Sequence, residues 1–420
     1  MWYFLNGKTM IEKIINNHSK EEIKPGNIVW MDIDIRTARD FAGANVVDHL
    51  EKHFPEGQRL ADIGRTFFTF DCVVPANNVG YAENQHTIRK FARKEGIKVY
   101  DVNSGIGSHV AIEQGFAYPG CTLVGTDSHL NILGSIGAFG QGMGDQDIAF
   151  AFKSGKTWFE VPHSVKVNVK GKIASNATPK DLTLALVKHF GSAGLLGLSA
   201  ELYGQPINNL TLDGRITLAS MVTEMGGIIG LIPPSKEVVE FCKKRSKFDF
   251  EPVSADEDAS YQKTIEIDVD GLKPQIACPY SPENVKDVAE VAGTNVDSVI
   301  IGSCTNGRYS DIELAAKMIR GKQVQETVMF KIVPATREIY GKMLKNGLLD
   351  IFYDAGVIVS HAGCSTCASG QIGMTGEGEI QITTGNRNFK GKQGKGQTYL
   401  ASPATAVATA IAGEITVPEF

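Results

Sequence analysis

Three cysteines stand in loops whose composition is unusual for inert thiols. Cys304 lies among glycine and small polar residues, and Cys364 and Cys367 form a Cys-x-x-Cys pair in a second loop of the same kind. Inert buried cysteines are more often surrounded by apolar residues. Three thiolates from two loops could hold a cubane iron–sulfur cluster. Because four irons would then meet three cysteines, one iron would lack a protein ligand and could act as a Lewis acid on a substrate hydroxyl and carboxylate.

The cysteine spacing is also compatible with other chemistry. A Cys-x-x-Cys pair occurs in zinc sites and in redox-active pairs as well. Structural zinc needs four protein ligands, and His361 could supply the fourth beside Cys364. From spacing alone, an iron–sulfur cluster, a zinc site and inert or redox-active thiols all stay open.

Predicted strands precede both cysteine loops. Residues 296–301 form an apolar run that ends just before Cys304, and residues 357–359 form another before Cys364. Because open α/β sheets bind ligands at the carboxyl ends of their strands, both loops are suited to form a site. The alternation of strands and helices predicts βαβ units and a mostly parallel sheet. The predicted order is strand 296–301, helix 311–319, strand 328–333, helix 337–344, and strands 357–359 and 379–383.

The same α/β pattern occurs earlier in the chain, and two further segments are predicted as loops. Residues 85–94 are predicted as a helix, and residues 98–100 and 122–125 as strands. Residues 246–263 are charged and weakly patterned, which is typical of a linker or a surface excursion. Residues 385–397 are rich in glycine, lysine and asparagine between strong elements, and we predict a functional loop there.

Composition limits the class of protein. The chain has 420 residues, 42% of them apolar and 21% charged, which suits two or three globular domains. A net charge of −5 argues against a general nucleic-acid or membrane-binding surface. No apolar run approaches the roughly 18 residues of a membrane span, and the apolar amino terminus is too short for a secretion signal. Seven cysteines are too few for a disulfide scaffold, so a cytoplasmic protein is expected.

Three segments resemble the aconitase superfamily in sequence and in order. They are Val124 to His129 (VGTDSH), Ile300 to Arg308 (IIGSCTNGR) and Asn386 to Gly391 (NRNFKG). The likeness is greatest to the large subunits of isopropylmalate dehydratase and homoaconitase, and it extends from about Met10 to Phe420. It implies an aconitase-like α/β fold of three domains with mostly parallel sheets around a central cluster. The expected domains are residues 1–125, residues 126–285 with a linker near 246–263, and residues 286–420.

The resemblance also implies roles for individual residues. By position, Cys304, Cys364 and Cys367 match the ligands of a 4Fe–4S cluster. Asn386 and Arg387 match substrate-binding residues, and the guanidinium group of arginine suits a carboxylate. The histidine that the family carries near residue 108 falls on Ser108 or His109, and we assign it to His109. The implied catalytic residues are Asp71, His109, Asp127, Ser128, His129 and Glu224.

Several residues depart from the family pattern, mostly among those expected around the substrate. None of the departures removes a cysteine ligand, so we expect the cluster chemistry to be retained and carboxylate recognition to be rearranged. Arg39 and Lys392 are then predicted to supply cations for the substrate. A methylated malate becomes a candidate substrate beside isopropylmalate and homocitrate. At the departing positions the family usually has a different residue: Cys72 replaces a histidine, Leu130 replaces a threonine, Ser220 replaces an asparagine, Lys392 replaces an arginine, and Arg39 replaces a neutral or histidine side chain.

The resemblance implies a two-subunit enzyme. In single-chain relatives the base that removes the carbon-bound proton is a serine in a fourth domain, and this chain ends at Phe420 without that domain. A separate small subunit is therefore expected to complete the site. Two other classes share the family's sequence features, an iron-sensing RNA-binding protein and an inactive paralogue. The acidic net charge argues against the first, and the retained cysteines argue against the second.

Overall fold

The computed structural model describes residues 7–55, 57, 60–367 and 372–420. Its strands are β1 (Ile28–Asp32), β2 (Ile35–Arg39), β3 (Thr66–Thr69), β4 (Lys98–Tyr100), β5 (Thr122–Gly125), β6 (Phe139–Gly142), β7 (Lys156–Glu160), β8 (Ser164–Lys170), β9 (Ser199–Tyr203), β10 (Ile229–Leu231), β11 (Lys263–Asp268), β12 (Gln275–Ala277), β13 (Val285–Asp287), β14 (Ser298–Ile301), β15 (Met329–Ile332), β16 (Ile358–Val359), β17 (Ile380–Thr383) and β18 (Gln397–Ala401).

The α-helices are α1 (Met10–His18), α2 (Gly43–His53), α3 (Val79–Glu95), α4 (Gly107–Glu113), α5 (Asp145–Ser154), α6 (Pro179–Phe190), α7 (Gln205–Asn208), α8 (Leu212–Ser220), α9 (Lys236–Lys243), α10 (Ser303–Asn306), α11 (Tyr309–Ile319), α12 (Arg337–Lys345), α13 (Leu348–Asp354) and α14 (Pro403–Ala412). Short 3-10 helices cover Ile63–Arg65, Leu130–Ile136, Met221–Met225, Val288–Glu290 and Ser365–Cys367. No helix in the described ranges is both long and apolar enough to cross a membrane.

Within the described residues, the strands form four sheets. The first sheet is parallel throughout, in the order β4-β3-β2-β5-β6, and the second is parallel in the order β10-β9-β8-β11. The third has the order β13-β12-β18-β17-β14-β15-β16, and only β12 runs antiparallel to its neighbours. Strands β1 and β7 form a separate antiparallel pair. The predicted mostly parallel α/β architecture is confirmed.

The predicted elements agree with the structure, whereas the strand order crosses the expected domain limits. Strands β4 and β5 have the predicted bounds, and β14 to β17 each lie within a predicted strand. Residues 246–262 contain no helix or strand, as predicted for a linker. Strand β6 belongs to the first sheet although it lies beyond residue 125, and β12 belongs to the third sheet although it precedes residue 286. Sheet pairing is a long-range choice that local patterns do not reveal, and the division into domains stays a prediction.

Helices near the third sheet begin at strong local signals. Before α6, the hydroxyl of Thr178 bonds to Asp181, and Pro179 occupies the first helical position. Before α14, the Ser402 hydroxyl accepts the main-chain N–H of Thr405 at 3.2 Å. Since these caps satisfy donors that a helix leaves unpaired, they fix where each helix starts.

One apolar core joins the first and third sheets. Phe67 and Leu123 belong to the same buried cluster as Val299 and Ile301. Burial of each such side chain contributes about 1.5–3 kcal/mol to stability. Because the two sheets share this core, the loops at their carboxyl ends are held in fixed positions relative to each other.

A backbone contact strengthens this junction. Gly105, before α4, pairs with Thr336, before α12, in an antiparallel bridge. The next residue, Ile106, donates its N–H to the carbonyl of Ala335 at 2.9 Å. Gly105 has φ +110°, and a Cβ atom there would lie 2.4 Å from the Ala335 carbonyl oxygen. Only glycine permits so close an approach.

The substitution Gly105→Ala is therefore expected to lower the free energy of unfolding by about 2–4 kcal/mol, through backbone strain and steric overlap. Gly26→Ala is the matched control, because Gly26 has φ +89° but open space around the position of a Cβ atom. That control should cost only about 1–2 kcal/mol. Urea denaturation measures both, and equal losses would contradict the proposed contact.

Candidate functional site

The two cysteine loops have strained backbones. Strand β14 leads into α10, where Ser303 precedes Cys304 with φ 83°. In the second loop Ser365 follows Cys364 with φ 58°. Positive φ is uncommon outside glycine, and it persists where the surrounding structure imposes it, often at functional sites. Tertiary structure therefore fixes the direction of both loops.

The predicted cysteine ligands come together at these loops. Cys304 and Cys364 are buried, and Cys367 is partly buried. The thiols of Cys364 and Cys367 contact each other, and Cys304 interacts electrostatically with Cys367. Burial raises the pKa of Cys304 and of Cys364 well above the usual value, whereas the contact with Cys364 lowers the pKa of Cys367. A bound metal would supply the positive charge that three buried thiolates need.

His361, the alternative zinc ligand, is turned elsewhere. Its ring Nε2 contacts the main-chain carbonyl oxygen of Val74. This contact gives no support to a tetrahedral site of three cysteines and His361.

A chain of charged side chains borders the cysteines. His129 Nε2 lies 3.2 Å from Glu224 Oε1, and Arg387 Nε donates to the same oxygen at 2.7 Å. Burial opposes ionisation of Glu224, but His129 and Arg387 lower its pKa below the usual range. Burial likewise opposes a charge on the imidazole, but Glu224 raises the pKa of His129. The predicted residues His129, Glu224 and Arg387 thus form one ion-paired unit that can hold a proton on the imidazole.

A second charged group lies behind Cys364. Arg39 Nε donates to Asp71 Oδ1 at 2.7 Å, and Arg39 Nη1 donates to Asp127 Oδ1 at 3.0 Å. Burial raises the pKa of Asp71 to about 7. Burial also opposes ionisation of Asp127, but Arg39 keeps the pKa of Asp127 below its usual value. The two carboxylates that share one cation therefore differ in proton affinity, a pattern typical of acid–base sites.

The contacts of His109 support the Cys304 loop. His109 is fully buried, with Nε2 3.0 Å from the carbonyl oxygen of Cys304 and Nδ1 3.3 Å from Arg308 Nη1. Burial and the Arg308 charge lower the pKa of His109 to about 3. The imidazole is therefore neutral, and both its nitrogens face protein atoms. The catalytic role assigned to His109 stays a prediction.

Of the remaining predicted residues, Asn386 and Lys392 line a small cavity beside Cys367, whereas Ser128 is not among its lining residues. Ser128 is exposed, with Oγ 3.4 Å from His129 Nδ1. Lys392 Nζ donates to the carbonyl oxygen of Cys367 at 2.8 Å, and Asn386 Oδ1 lies 3.4 Å from Cys304 Sγ. The cavity is lined by His129, Ser303, Thr366, Cys367, Gly385, Asn386, Arg387, Lys392 and Gln393.

Four buried polar atoms at or next to this cavity lack hydrogen-bond partners among the residues that the structure describes. Asn386 Nδ2 and Gln393 Oε1 belong to lining residues, and Asp127 Oδ2 and Glu224 Oε2 belong to residues bonded to His129. Buried polar atoms in native proteins are nearly always bonded. Their presence beside three thiols fits a site that binds a cofactor and a polar substrate.

Cys72 lies next to the ligand Cys364 as well. The two thiols contact each other, and Cys72 Sγ lies 3.4 Å from Asp71 Oδ1. Contact with Cys364 favours the thiolate, but burial together with the nearby carboxylates of Asp71 and Asp40 raises the pKa of Cys72 to about 12. Asp40 completes a group of three potential metal ligands here, yet its oxygens already accept the main-chain N–H groups of Asp71, Cys72 and Val73.

Two supporting residues were not predicted from sequence. Lys180 on α6 is fully buried and donates to the carbonyl oxygens of Thr384 and Gly385 at 3.0 and 2.8 Å. It thereby holds the loop that carries Asn386, and burial lowers the pKa of Lys180 to about 7. Nothing in the local sequence at this helix start distinguishes Lys180 from a lysine that is exposed to solvent. Arg308, inside the 300–308 motif, donates to Glu113 at 2.6 Å and to Asp213 at 2.8 Å. In the sequence, only its position in that motif indicated a role for Arg308.

Comparison with known proteins identifies the class to which this fold and site belong. The aconitase family (aconitate hydratase) matches residues 12–413, so the chain belongs to the aconitase family. Members of this family generally bind an iron–sulfur cluster. The predicted family, fold and hydro-lyase class are confirmed.

Curated relatives are similar over nearly the whole chain. The "3-isopropylmalate dehydratase large subunit 1" of Methanopyrus kandleri is 40% identical over 415 residues, covering 98% of this chain and 99% of the relative. The "Probable methanogen homoaconitase large subunit" of Methanosarcina mazei is 43% identical over 389 residues, covering 92% and 98%. Among solved structures, Thermococcus kodakaraensis aconitase X in its holo-form is 15% identical with a TM-score of 0.50, covering 85% of this chain and 84% of that one. This last likeness concerns the fold alone.

The contacts of Lys180 lead to a stability prediction. In Lys180→Met the carbonyl oxygens of Thr384 and Gly385 would lose their buried donor, so the free energy of unfolding should fall by about 1–3 kcal/mol. Lys188→Met on the exposed side of the same helix is the matched control and should change it by less than about 0.5 kcal/mol. Urea denaturation measures the free energy of unfolding of the two variants. An unchanged free energy of unfolding in Lys180→Met would contradict the supporting role.

Proposed function

We propose that the chain is the large subunit of a hydro-lyase that binds a 4Fe–4S cluster through Cys304, Cys364 and Cys367. Its substrate is a small 2-hydroxy di- or tricarboxylic acid. The observation that carries the proposal is a cavity that Cys367 lines together with His129 and Arg387, both bonded to Glu224. Cys364 contacts Cys367, and Cys304 Sγ lies 3.4 Å from Oδ1 of the cavity residue Asn386.

The side chains around the thiols fit an iron–sulfur cluster. Held by three cysteine ligands, such a cluster would have one iron without a protein ligand and would supply Lewis-acid chemistry toward the hydroxyl and one carboxylate of the substrate. Asn386 Nδ2, which has no partner within the described chain, is a donor available to the cluster or the substrate. Because members of the family generally bind an iron–sulfur cluster, this cofactor is favoured over zinc.

Substrate binding and proton transfer then follow from the charged side chains. Within the described contacts, Arg387 uses only Nε, so both terminal nitrogens are free to bind a carboxylate. His129, whose pKa Glu224 raises, lies where it can donate a proton to the departing hydroxyl group, which then leaves as water. The exposed hydroxyl of Ser128 beside His129 is available to orient the substrate.

The rest of the reaction is assigned to a partner. The relatives above carry the words "large subunit" in their names, which supports a small subunit for this chain too. We assign to that subunit the base that removes the proton from the carbon adjacent to the hydroxyl-bearing one. The names of the relatives support isopropylmalate and homocitrate as the first substrates to test, with methylated malates beside them.

Iron content tests the cofactor. After anaerobic reconstitution, Cys304→Ala is expected to lose most of its bound iron and sulfide, because one of three ligands is gone. Cys242→Ala, a buried cysteine in the apolar core, is the matched control and should retain both. Iron and sulfide analysis with Mössbauer spectroscopy measures the outcome. Wild-type protein that binds zinc, or no metal, would refute the proposal.

Turnover tests the enzyme class. With a small subunit co-expressed from the same genome, Arg387→Lys should lower kcat/KM for the hydroxy acid by about 10- to 100-fold, the loss expected for a charge-assisted hydrogen bond. Arg320→Lys, at an exposed helix end, should leave it unchanged. Formation of the unsaturated product is followed by absorbance. Equal activity in Arg387→Lys and wild type would exclude the assigned carboxylate contact.

A further inference from the structure

Arg39 makes three side-chain bonds at the centre of the site. It ends β2 and is only 5% exposed. Besides the bonds to Asp71 and Asp127, its Nη2 donates to the sulfur of Cys364 at 2.6 Å. Each of its three nitrogens is therefore engaged with a different anionic or sulfur group.

The charge balance explains why this arrangement is stable. A buried cation or anion without a partner costs several kcal/mol, so burial of Asp71, Asp127 and Arg39 depends on their pairing. Two carboxylates against one guanidinium leave a negative excess, to which a Cys364 thiolate would add. The guanidinium is the cation that the structure bonds to all three groups.

We propose that Arg39 is a positioning residue for the cluster, which donates a hydrogen bond to the ligand sulfur of Cys364 and thereby raises the reduction potential of the cluster. This inference rests on the cluster of the proposed function. It differs from the sequence prediction that Arg39 binds the substrate, because each nitrogen already bonds to a protein group and the side chain is only 6% exposed.

The direction of the effect follows from electrostatics. Hydrogen bonds to the ligand sulfurs are among the factors that set the potential of an iron–sulfur cluster. Reduction adds one negative charge to the cluster, and a nearby cation with an N–H···S bond stabilises the reduced state more than the oxidised state. Loss of this cation should therefore make the cluster harder to reduce.

The matched control is another buried arginine on the same strand. Arg36 is 2% exposed and donates to the carbonyl oxygen of Ile33 at 2.6 Å and to Thr66 Oγ1 at 3.3 Å, with no cysteine among its described bonds. Arg39→Gln and Arg36→Gln remove the same charge from one strand. Only the first removes a bond to a cluster ligand. Arg39→Lys keeps the charge but cannot make the three directed bonds.

The test uses full-length chains reconstituted anaerobically, with the potential measured by redox titration followed by electron paramagnetic resonance. Arg39→Gln should shift the reduction equilibrium at least tenfold toward the oxidised cluster, which is about 59 mV for one electron. Arg39→Lys should shift it less, and Arg36→Gln should leave it unchanged. If Arg39→Gln does not hold a cluster, the reduction potential of Arg39→Lys is compared with that of the wild type. A lower potential in Arg39→Lys supports the inference, and an equal potential contradicts it.

An unchanged potential in cluster-loaded Arg39→Gln, with a rise in substrate KM instead, would overturn the inference and restore the substrate-binding role. An equal shift in Arg36→Gln would also overturn it, because the effect would then be a general one of buried charge. Failure of the wild-type chain to form any cluster would sink the proposed function itself, and iron analysis distinguishes that outcome.

Discussion

The buried charged side chains around the cysteine loops each meet an opposite charge within bonding distance. Arg39 joins Asp71 and Asp127, Glu224 joins His129 and Arg387, and Arg308 joins Glu113 and Asp213. An unpaired charge in this environment would cost several kcal/mol. The positions of the cysteine loops depend on these pairs, because the loops are attached to the same residues.

The attachment is visible at each loop. The main-chain N–H of Cys364 donates to the carbonyl oxygen of Asp71 at 2.8 Å. The carbonyl oxygen of Cys304 lies 3.0 Å from Nε2 of the His109 imidazole. Lys392 bonds to the carbonyl of Cys367. Each thiol is thus oriented by a side chain or strand end from another part of the chain, which is how precise metal sites are built.

The departures from the family pattern have a common structural setting. Arg39 and Cys72 both contact Cys364, and Lys392 contacts the backbone of Cys367. These departures, expected around the substrate, therefore also lie against two of the three cysteines predicted as ligands. If those cysteines hold the proposed cluster, its environment and the recognition of the carboxylate have changed together.

The sequence by itself determined six of the strands, among them β5 and β14, the two cysteine loops and the family. Apolar runs such as 298–301 and 122–125 predict strands correctly because each of these strands is buried on both faces. Capping residues such as Thr178 mark the start of a helix in the local sequence. Only the tertiary structure decided which side chains meet. Arg39 and Cys364 are 325 residues apart in sequence, and the donor role of Lys180 depends on carbonyls 204 and 205 residues away. Such contacts arise from sheet pairing and shared burial, which are non-local, so no local residue pattern encodes them.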